Sequence, residues 1–197
     1  MHPTRLVLLL SVILLSCASS VAQQPGPQFW RKVGCEPFEP RTRLETVEER
    51  YSAVIIKGFT RITTVEVRGV RIDAVEMRAP GFPERAKGIV VSLREGGEQR
   101  PNENRAFVDY EELDALLNAI DTISRVDESV TRLASFEARY KTMGDLELGV
   151  FRQTQRGTAV SLTTGICDRA TQTMTLDELG KVKAMIQEAK ARLEELR

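Results

Sequence analysis

Two blocks of this chain match two later blocks in the same order. Lys87-Gly-Ile-Val-Val-Ser-Leu93 aligns with Arg156-Gly-Thr-Ala-Val-Ser-Leu162 at a shift of 69 residues, and Asp109-Tyr-Glu-Glu-Leu113 aligns with Thr175-Leu-Asp-Glu-Leu179 at a shift of 66. A three-residue insertion in the first copy, around Gly96 to Arg105, accounts for the difference. Ordered self-similarity of this kind argues for a duplicated unit, and packing two copies about a pseudo-twofold axis would join their sheets and place the helices against them.

Each second block reads as the start of a helix. Asp109 and Thr175 stand as caps, with Glu112 and Glu178 three residues on to complete a capping box. Val108 with Leu113, and Met174 with Leu179, are spaced as hydrophobic staples. Beyond them Leu113, Leu116, Leu117 and Ile120 recur at helical spacing, as do Leu179, Val182, Met185, Ile186, Ala189 and Leu193. Glu188 and Arg192, four apart in the charged run Lys181 to Arg197, mark a solvated face.

Upstream of each helix the residues favour strands. In the first copy these are Ala53 to Val67, Val70 to Arg78, Gly88 to Leu93 and Ala106 to Val108, with a turn or bulge at Gly69. In the second they are Ala134 to Met143, Leu146 to Gln153, Thr158 to Thr164 and Thr171 to Met174. The expected fold is α+β, a tandem pseudo-repeat in which each copy has four antiparallel strands followed by one helix. Residues 43–126 hold the first copy and 127–197 the second, the two forming one compact unit. Thr42 and Glu45 also have the spacing to cap a short helix before the first strand.

The amino-terminus sets the compartment. Arg5 precedes an apolar run from Leu6 to Leu15, too short for the roughly 20 residues that a membrane-spanning helix needs and typical of a removable secretory signal. Ser20-Val21-Ala22 places small residues where a signal peptidase cuts, making 1–22 the signal peptide. Alternatively, Leu14-Leu15-Ser16-Cys17 resembles the lipobox of bacterial lipoproteins, which implies a lipid anchor on Cys17. Both readings place the protein outside the cytoplasm, periplasmic or secreted in one case and membrane-anchored in the other. No other run is long enough to span a bilayer. Residues 23–42, with Pro25, Pro27, Pro37 and Pro40, read as a Pro/Gln-rich tether whose Phe29, Trp30 and Phe38 form a strap on the domain or a docking surface.

Residue inventory narrows the chemistry. The chain's single histidine is His2, within the signal, so the mature protein has neither a Ser-His-Asp nor a Cys-His site and no histidine-ligated metal. With Cys17 removed or lipidated, Cys35 and Cys167 remain, and in an oxidising compartment such a pair reads as a disulfide. Its long loop would contribute roughly 4 to 5 kcal/mol in the chain-entropy model. The full chain carries 28 basic and 28 acidic residues, and losing Arg5 leaves 27 against 28, so no excess positive charge attracts nucleic acid.

The residues contain no phosphate loop, CxxC, HExxH, EF-hand or nucleophile elbow, and no cofactor or metal is expected. The acidic group Asp109, Glu111, Glu112 and Asp114 fits favourable charge at a helix start better than a glycosidase pair or a calcium loop. Ser92 and Ser161 recur at equivalent strand positions, and with Lys57 or Lys87 would supply the serine and lysine of a histidine-free hydrolase.

The repeated order of four strands and a helix resembles PUR repeats and Whirly domains, and this resemblance implies single-stranded nucleic-acid binding on the sheets. Its candidate residues here are Phe59, Arg61, Phe136, Arg139, Tyr140 and Phe151, interspersed with Glu66, Glu76, Glu137 and Glu147. Acidic interruption of this kind opposes such binding. The expected function is therefore a cell-envelope binding or scaffold module without catalytic activity, its partner an envelope protein, a polymer or a small ligand. A hydrolase acting through carboxylates or a Ser/Lys pair is the alternative, and a single-stranded nucleic-acid binder the second.

Overall fold

A computed structural model describes residues 39–63, 67, 69–96, 102–133, 135–153, 157–167 and 169–196, all within the unit Lys32–Arg197. The fold is α+β. Helix α1 (Arg43–Glu48) precedes strands β1 (Ile56–Ile62), β2 (Val70–Arg78), β3 (Arg85–Glu95) and β4 (Asn102–Asp109), then helix α2 (Leu113–Ser124). Strands β5 (Phe136–Lys141), β6 (Leu146–Gln153), β7 (Gly157–Thr164) and β8 (Ala170–Met174) follow, and α3 (Leu176–Glu194) closes the order. The strands make two separate antiparallel four-stranded meanders, β1-β2-β3-β4 and β5-β6-β7-β8, and not the joined sheet expected of the two copies.

Period-two burial decides which faces meet. In β2, Val70, Ile72 and Ala74 join Ile89, Val91 and Leu93 of β3 and Ala106 and Val108 of β4 on the inner face. Leu146, Leu148, Val150, Val160 and Leu162 answer from the second sheet, and the apolar stripes of α2 and α3 complete the same core. Burying each such Leu or Ile contributes about 1.5 to 3 kcal/mol. The space among Val91, Leu116, Leu148 and Ile186 is only about 10 Å³, so this core is filled by side chains.

The helices are exchanged between the sheets. Helix α2, which follows the first sheet, packs on β5 and β6, while α3, which follows the second, lies chiefly on β2 and β3. The two helices also touch, tied by Asp114 to Lys190 at 2.7 Å and Asp121 to Lys183 at 2.5 Å. All six apolar positions expected of α3 are buried. In α2, Leu113, Leu116 and Ile120 are buried with Ile123, whereas Leu117 is only partly covered.

Differences from the sequence reading are local. The first strand is shorter than Ala53 to Val67, whereas the third and fourth extend to 11 and 8 residues. Gly69 takes φ of +76° beside Arg94, whose amide donates to the Gly69 carbonyl at 2.8 Å. A Cβ there would lie 2.7 Å from the Arg94 carbonyl oxygen, so both backbone and space call for glycine. The folded part also begins before Arg43, because Thr42 is buried and its side chain caps α1 in a complete capping box with Glu45.

Candidate binding surface

The first sheet has a second apolar face. Val75, Met77, Ala86, Val90 and Phe107 form a separate cluster on its outer side, covered by Leu44 and Val47 of α1. A Cβ on Gly88 would meet the Val108 carbonyl oxygen at 2.2 Å and Leu44 Cδ1 at 2.9 Å, so the bare glycine lets α1 sit this close.

The expected Asp109 and Glu112 capping box is not formed. Asp109 makes no cap bond to the 3-10 turn Tyr110–Glu112 that follows it. Its carboxylate instead accepts the amides of Arg43 at 2.7 Å and Leu44 at 3.1 Å, the free donors at the start of α1. A carboxylate there gains both the hydrogen bonds and the helix dipole. Glu112 accepts from the Met143 amide at 3.0 Å, and no side chain caps α2. Burial, and then the Asp109 charge, holds Glu112 above the usual carboxylate range against that bond. The second box is present: Thr175 accepts from the Glu178 amide at 3.2 Å, and the Glu178 carboxylate accepts from the Thr175 amide at 2.8 Å and hydroxyl at 3.1 Å, bonds that lower its pKa.

The Glu112 bond to Met143 reaches the turn between β5 and β6. Asp145, buried with φ of +63°, is ion-paired by Arg41 and lies 2.8 Å from Lys141 Nζ. Gly144 bridges to Phe107, and its missing Cβ would fall 2.0 Å from the Phe107 carbonyl oxygen. Nothing in the spacing of Arg41, Asp109 and Asp145 announced this junction.

The other half of the first sheet's outer face is polar. Arg71 reaches Ser92 at 3.0 Å and Glu103 at 3.1 Å, Arg61 pairs with Asp73 at 3.3 Å, and Arg105 with Glu48 at 3.2 Å. Arg71, Ser92, Arg94 and Glu103 line an open groove of about 200 Å³. Acids and bases alternate, which suits a neutral or mixed-charge partner better than a polyanion.

The residues proposed for a hydrolase stand apart. Lys87 faces the opposite side of β3 from Ser92; it lies 4.1 Å from the Tyr110 ring centroid and donates to the Leu193 carbonyl at 3.2 Å. Lys57 pairs with Met77 in register and Ser92 with Arg71, a separation of six residues along β2, about 20 Å at strand rise. Ser161 lies opposite Gly149, whose missing Cβ would sit 2.8 Å from its Oγ. In the acidic group, Glu111 pairs with Arg43 and Asp114 with Lys190. Among the described residues no cluster of acids or cysteines has the grouping of a metal site.

The nucleic-acid candidates are scattered as well. Phe59 and Arg61 lie on the first sheet's outer face and Arg139 and Phe151 on the second's, while Phe136 and Tyr140 turn inward against the core. Stacked bases need successive aromatic rings on one face, and neither sheet offers them.

Exposed apolar residues flank edge strand β1 on both of its faces, Phe59 on the outer and Ile56 on the inner. Tyr51 is 90% exposed, Val54 73% and Phe59 60%, with Ile56 and Phe82 also exposed. Arg50 stacks 4.2 Å over Phe82, bringing the turn after β2 beside the connection that carries Tyr51 and Val54. Among the described residues only β2 pairs with β1. The non-periodic run Tyr-Ser-Ala-Val-Ile-Ile from Tyr51 was the one sequence trace of this group.

Cys167 lies in the turn between β7 and β8. Cys17, Cys35 and the signal and tether residues through Phe38 lie outside the described residues. No described helix is long and apolar enough to cross a membrane. No family model, curated protein or solved structure matches this chain.

Proposed function

We propose that this chain is an exported bacterial cell-envelope module that binds or scaffolds an envelope protein without catalysing a reaction. It is released by cleavage after Ala22 or anchored by lipid on Cys17. The carrying observation is the exposed group Tyr51, Val54, Phe59 and Phe82 beside β1, whose outer edge no described strand pairs. Contiguous exposed apolar side chains mark protein contacts, and an unpaired strand edge offers backbone hydrogen bonds to an incoming strand.

The same reading takes the architecture as a tandem duplication of a four-strand-and-helix unit. Support comes from Ser92 and Ser161, which both face outward from the third strand of their sheets, and from the matching inner residues Val91 and Val160. The filled core disfavours a small ligand held between the sheets, and the wide separation of Ser92 from both lysines disfavours the hydrolase.

Site-specific photo-crosslinking in intact cells tests the proposal. A crosslinker at Tyr51 or Phe59 is expected to trap one dominant envelope protein, while one at Arg139 on the second sheet traps none. Equal or absent adducts at all three positions would overturn the β1 assignment. Hydrolysis of a cell-wall or ester substrate, lost in Ser161→Ala or Ser92→Ala, would instead establish the enzyme.

A further inference from the structure

We infer that the groove on the first sheet's outer face, where Arg71, Ser92, Arg94 and Glu103 converge, binds a single carboxylate carried by a small acid or by the end of a chain. The inference neither uses nor requires a partner at β1. Fixed donors, one uncompensated positive charge and the size of the groove carry it.

Strand parity brings the donors together. Arg71 opposes Ser92 across β2 and β3, Arg94 stands two residues beyond Ser92, and Glu103 opposes Arg94 across β3 and β4, so all four side chains share the outer face. The Arg71 guanidinium is held along one edge. Its Nη2 donates to Ser92 Oγ at 3.0 Å and Glu103 Oε1 at 3.1 Å, and its Nε lies 3.4 Å from Asp73 Oδ2. Among the described residues its Nη1 has no partner, which leaves N–H donors on a group already fixed in place. Donors fixed before a ligand arrives lose little freedom on binding. Ser92 is only 4% exposed and its oxygen accepts from Arg71, so its own proton is left without an acceptor among the described residues. A buried hydroxyl in that state gains by donating to a ligand oxygen.

Charge selects the ligand. On this part of the face Arg61, Arg71 and Arg94 stand with two acids, Asp73 and Glu103. Asp73 lies 3.3 Å from Arg61 and 3.4 Å from Arg71, and Glu103 lies 3.1 Å from Arg71. Arg94 is exposed and pairs with no acid among the described residues, so one positive charge is in excess in the groove lining. The neighbouring Arg105 is drawn off to Glu48 at 3.2 Å. A singly charged carboxylate balances Arg94 and presents planar oxygens to guanidinium donors, whereas Asp73 and Glu103 repel a phosphate dianion or a polyanion. At about 200 Å³ the groove is smaller than the roughly 300 to 1,000 Å³ of drug-sized sites, so it takes a small acid or the last residue of a chain.

Titration of the isotope-labelled protein, followed by its amide shifts, tests this with N-acetylalanine, its carboxamide, acetate and inorganic phosphate as probes. N-acetylalanine is expected to move the Gly69, Arg71, Ser92 and Arg94 amides saturably, and the carboxamide to move none of them at the same concentration. Arg94→Gln should weaken binding about tenfold and Ser92→Ala about fivefold, while Glu103→Gln, which removes a repelling charge, should tighten it. The α1 amides from Leu44 to Val47 keep their shifts in each variant and report an intact fold; if Ser92→Ala does not fold, Arg94→Gln and Glu103→Gln decide. Equal response to the carboxamide, phosphate bound as tightly as N-acetylalanine, or unchanged affinity in Arg94→Gln would each overturn the site. Acetate bound as tightly as N-acetylalanine assigns it to free acids, and weaker acetate assigns it to chain ends. Crosslinking that fails at Tyr51 and Phe59 refutes the β1 contact and leaves this groove standing.

Discussion

The two sheets of this protein have the same strand order and the same inward alternation, yet their outer faces differ. The first is covered in part by α1, whose Leu44 and Val47 pack on its apolar cluster. The second meets no described helix on that side, and apart from Phe151 its outward residues are mostly polar or small: Glu137 and Arg139, Glu147 and Gly149, Ser161 and Thr163. Arg139 and Arg169 both approach Glu147, at 3.9 and 3.0 Å, so ion pairs stand where the first sheet has a helix. An element before β1 found an apolar face to cover, whereas the short 3-10 turn Glu128–Val130 before β5 found none. Matched sequence therefore produces matched strands without matched surroundings.

The glycine pair Gly88 and Gly157 gives the sharpest test of that contrast. They align in the repeat, but Gly88 is hemmed in by Val108 and Leu44, while Gly157 has nothing within 4 Å and needs glycine only for its φ of +74°. Gly88→Ala is expected to cost about 3 kcal/mol by forcing α1 off the sheet. Gly157→Ala should cost about 1 kcal/mol, the strain of a left-handed backbone at a turn. Denaturant midpoints of the two variants measure the gap, and equal losses would break the comparison.

Next in size are the helix caps. Asp109→Ala is expected to lose about 2 kcal/mol, since it strips two amides of α1 of a charged acceptor. Thr175→Ala should lose about 1 kcal/mol from α3. Hydrogen exchange locates each loss: α1 loosens in the first variant with α2 unchanged, and the first turn of α3 in the second. Loosening of α2 by Asp109→Ala would restore the capping role that its sequence position suggests.

The smallest effect is on pH dependence. Glu112 is raised by burial, so the folded state holds its proton more tightly than the unfolded chain, and its contribution is present below the usual value of 4.5 and is lost as pH rises through the raised value. Glu178 is lowered by the Thr175 bonds, so its contribution is present above 4.5 and is lost as pH falls through the lowered value. Thermal melts on either side of that pH should show Glu112→Gln removing a decline on the alkaline side and Glu178→Gln removing one on the acid side. Shifts of the same sign in both variants would mean that the two glutamates share one environment after all.

The strands and helices were legible because alternation and helical spacing are local. Leu179 to Leu193 identified α3 along its whole apolar stripe, and Val70 to Arg78 is a strand from end to end. The candidate surface was much less legible. Tyr51, Val54 and Phe82 look like ordinary apolar residues until the turns bring them together, and the pairing of Arg41 with Asp145 joins residues 104 apart. Ser92 and Lys87 are close in the chain, but strand parity sends them to opposite faces.

The sequence by itself determined the elements, their order, the inward set of residues and the second capping box, since each depends on contacts within a few residues of one another. Only the tertiary structure decided that α2 and α3 exchange sheets, that Asp109 caps α1 instead of the helix after it, and that among the described residues one outer face carries a helix while the other carries none. Those outcomes depend on which distant surfaces compete for the same amides and the same apolar area. A carboxylate with two possible sets of donors goes to the set that packing brings nearest, and spacing along a chain carries no record of that choice.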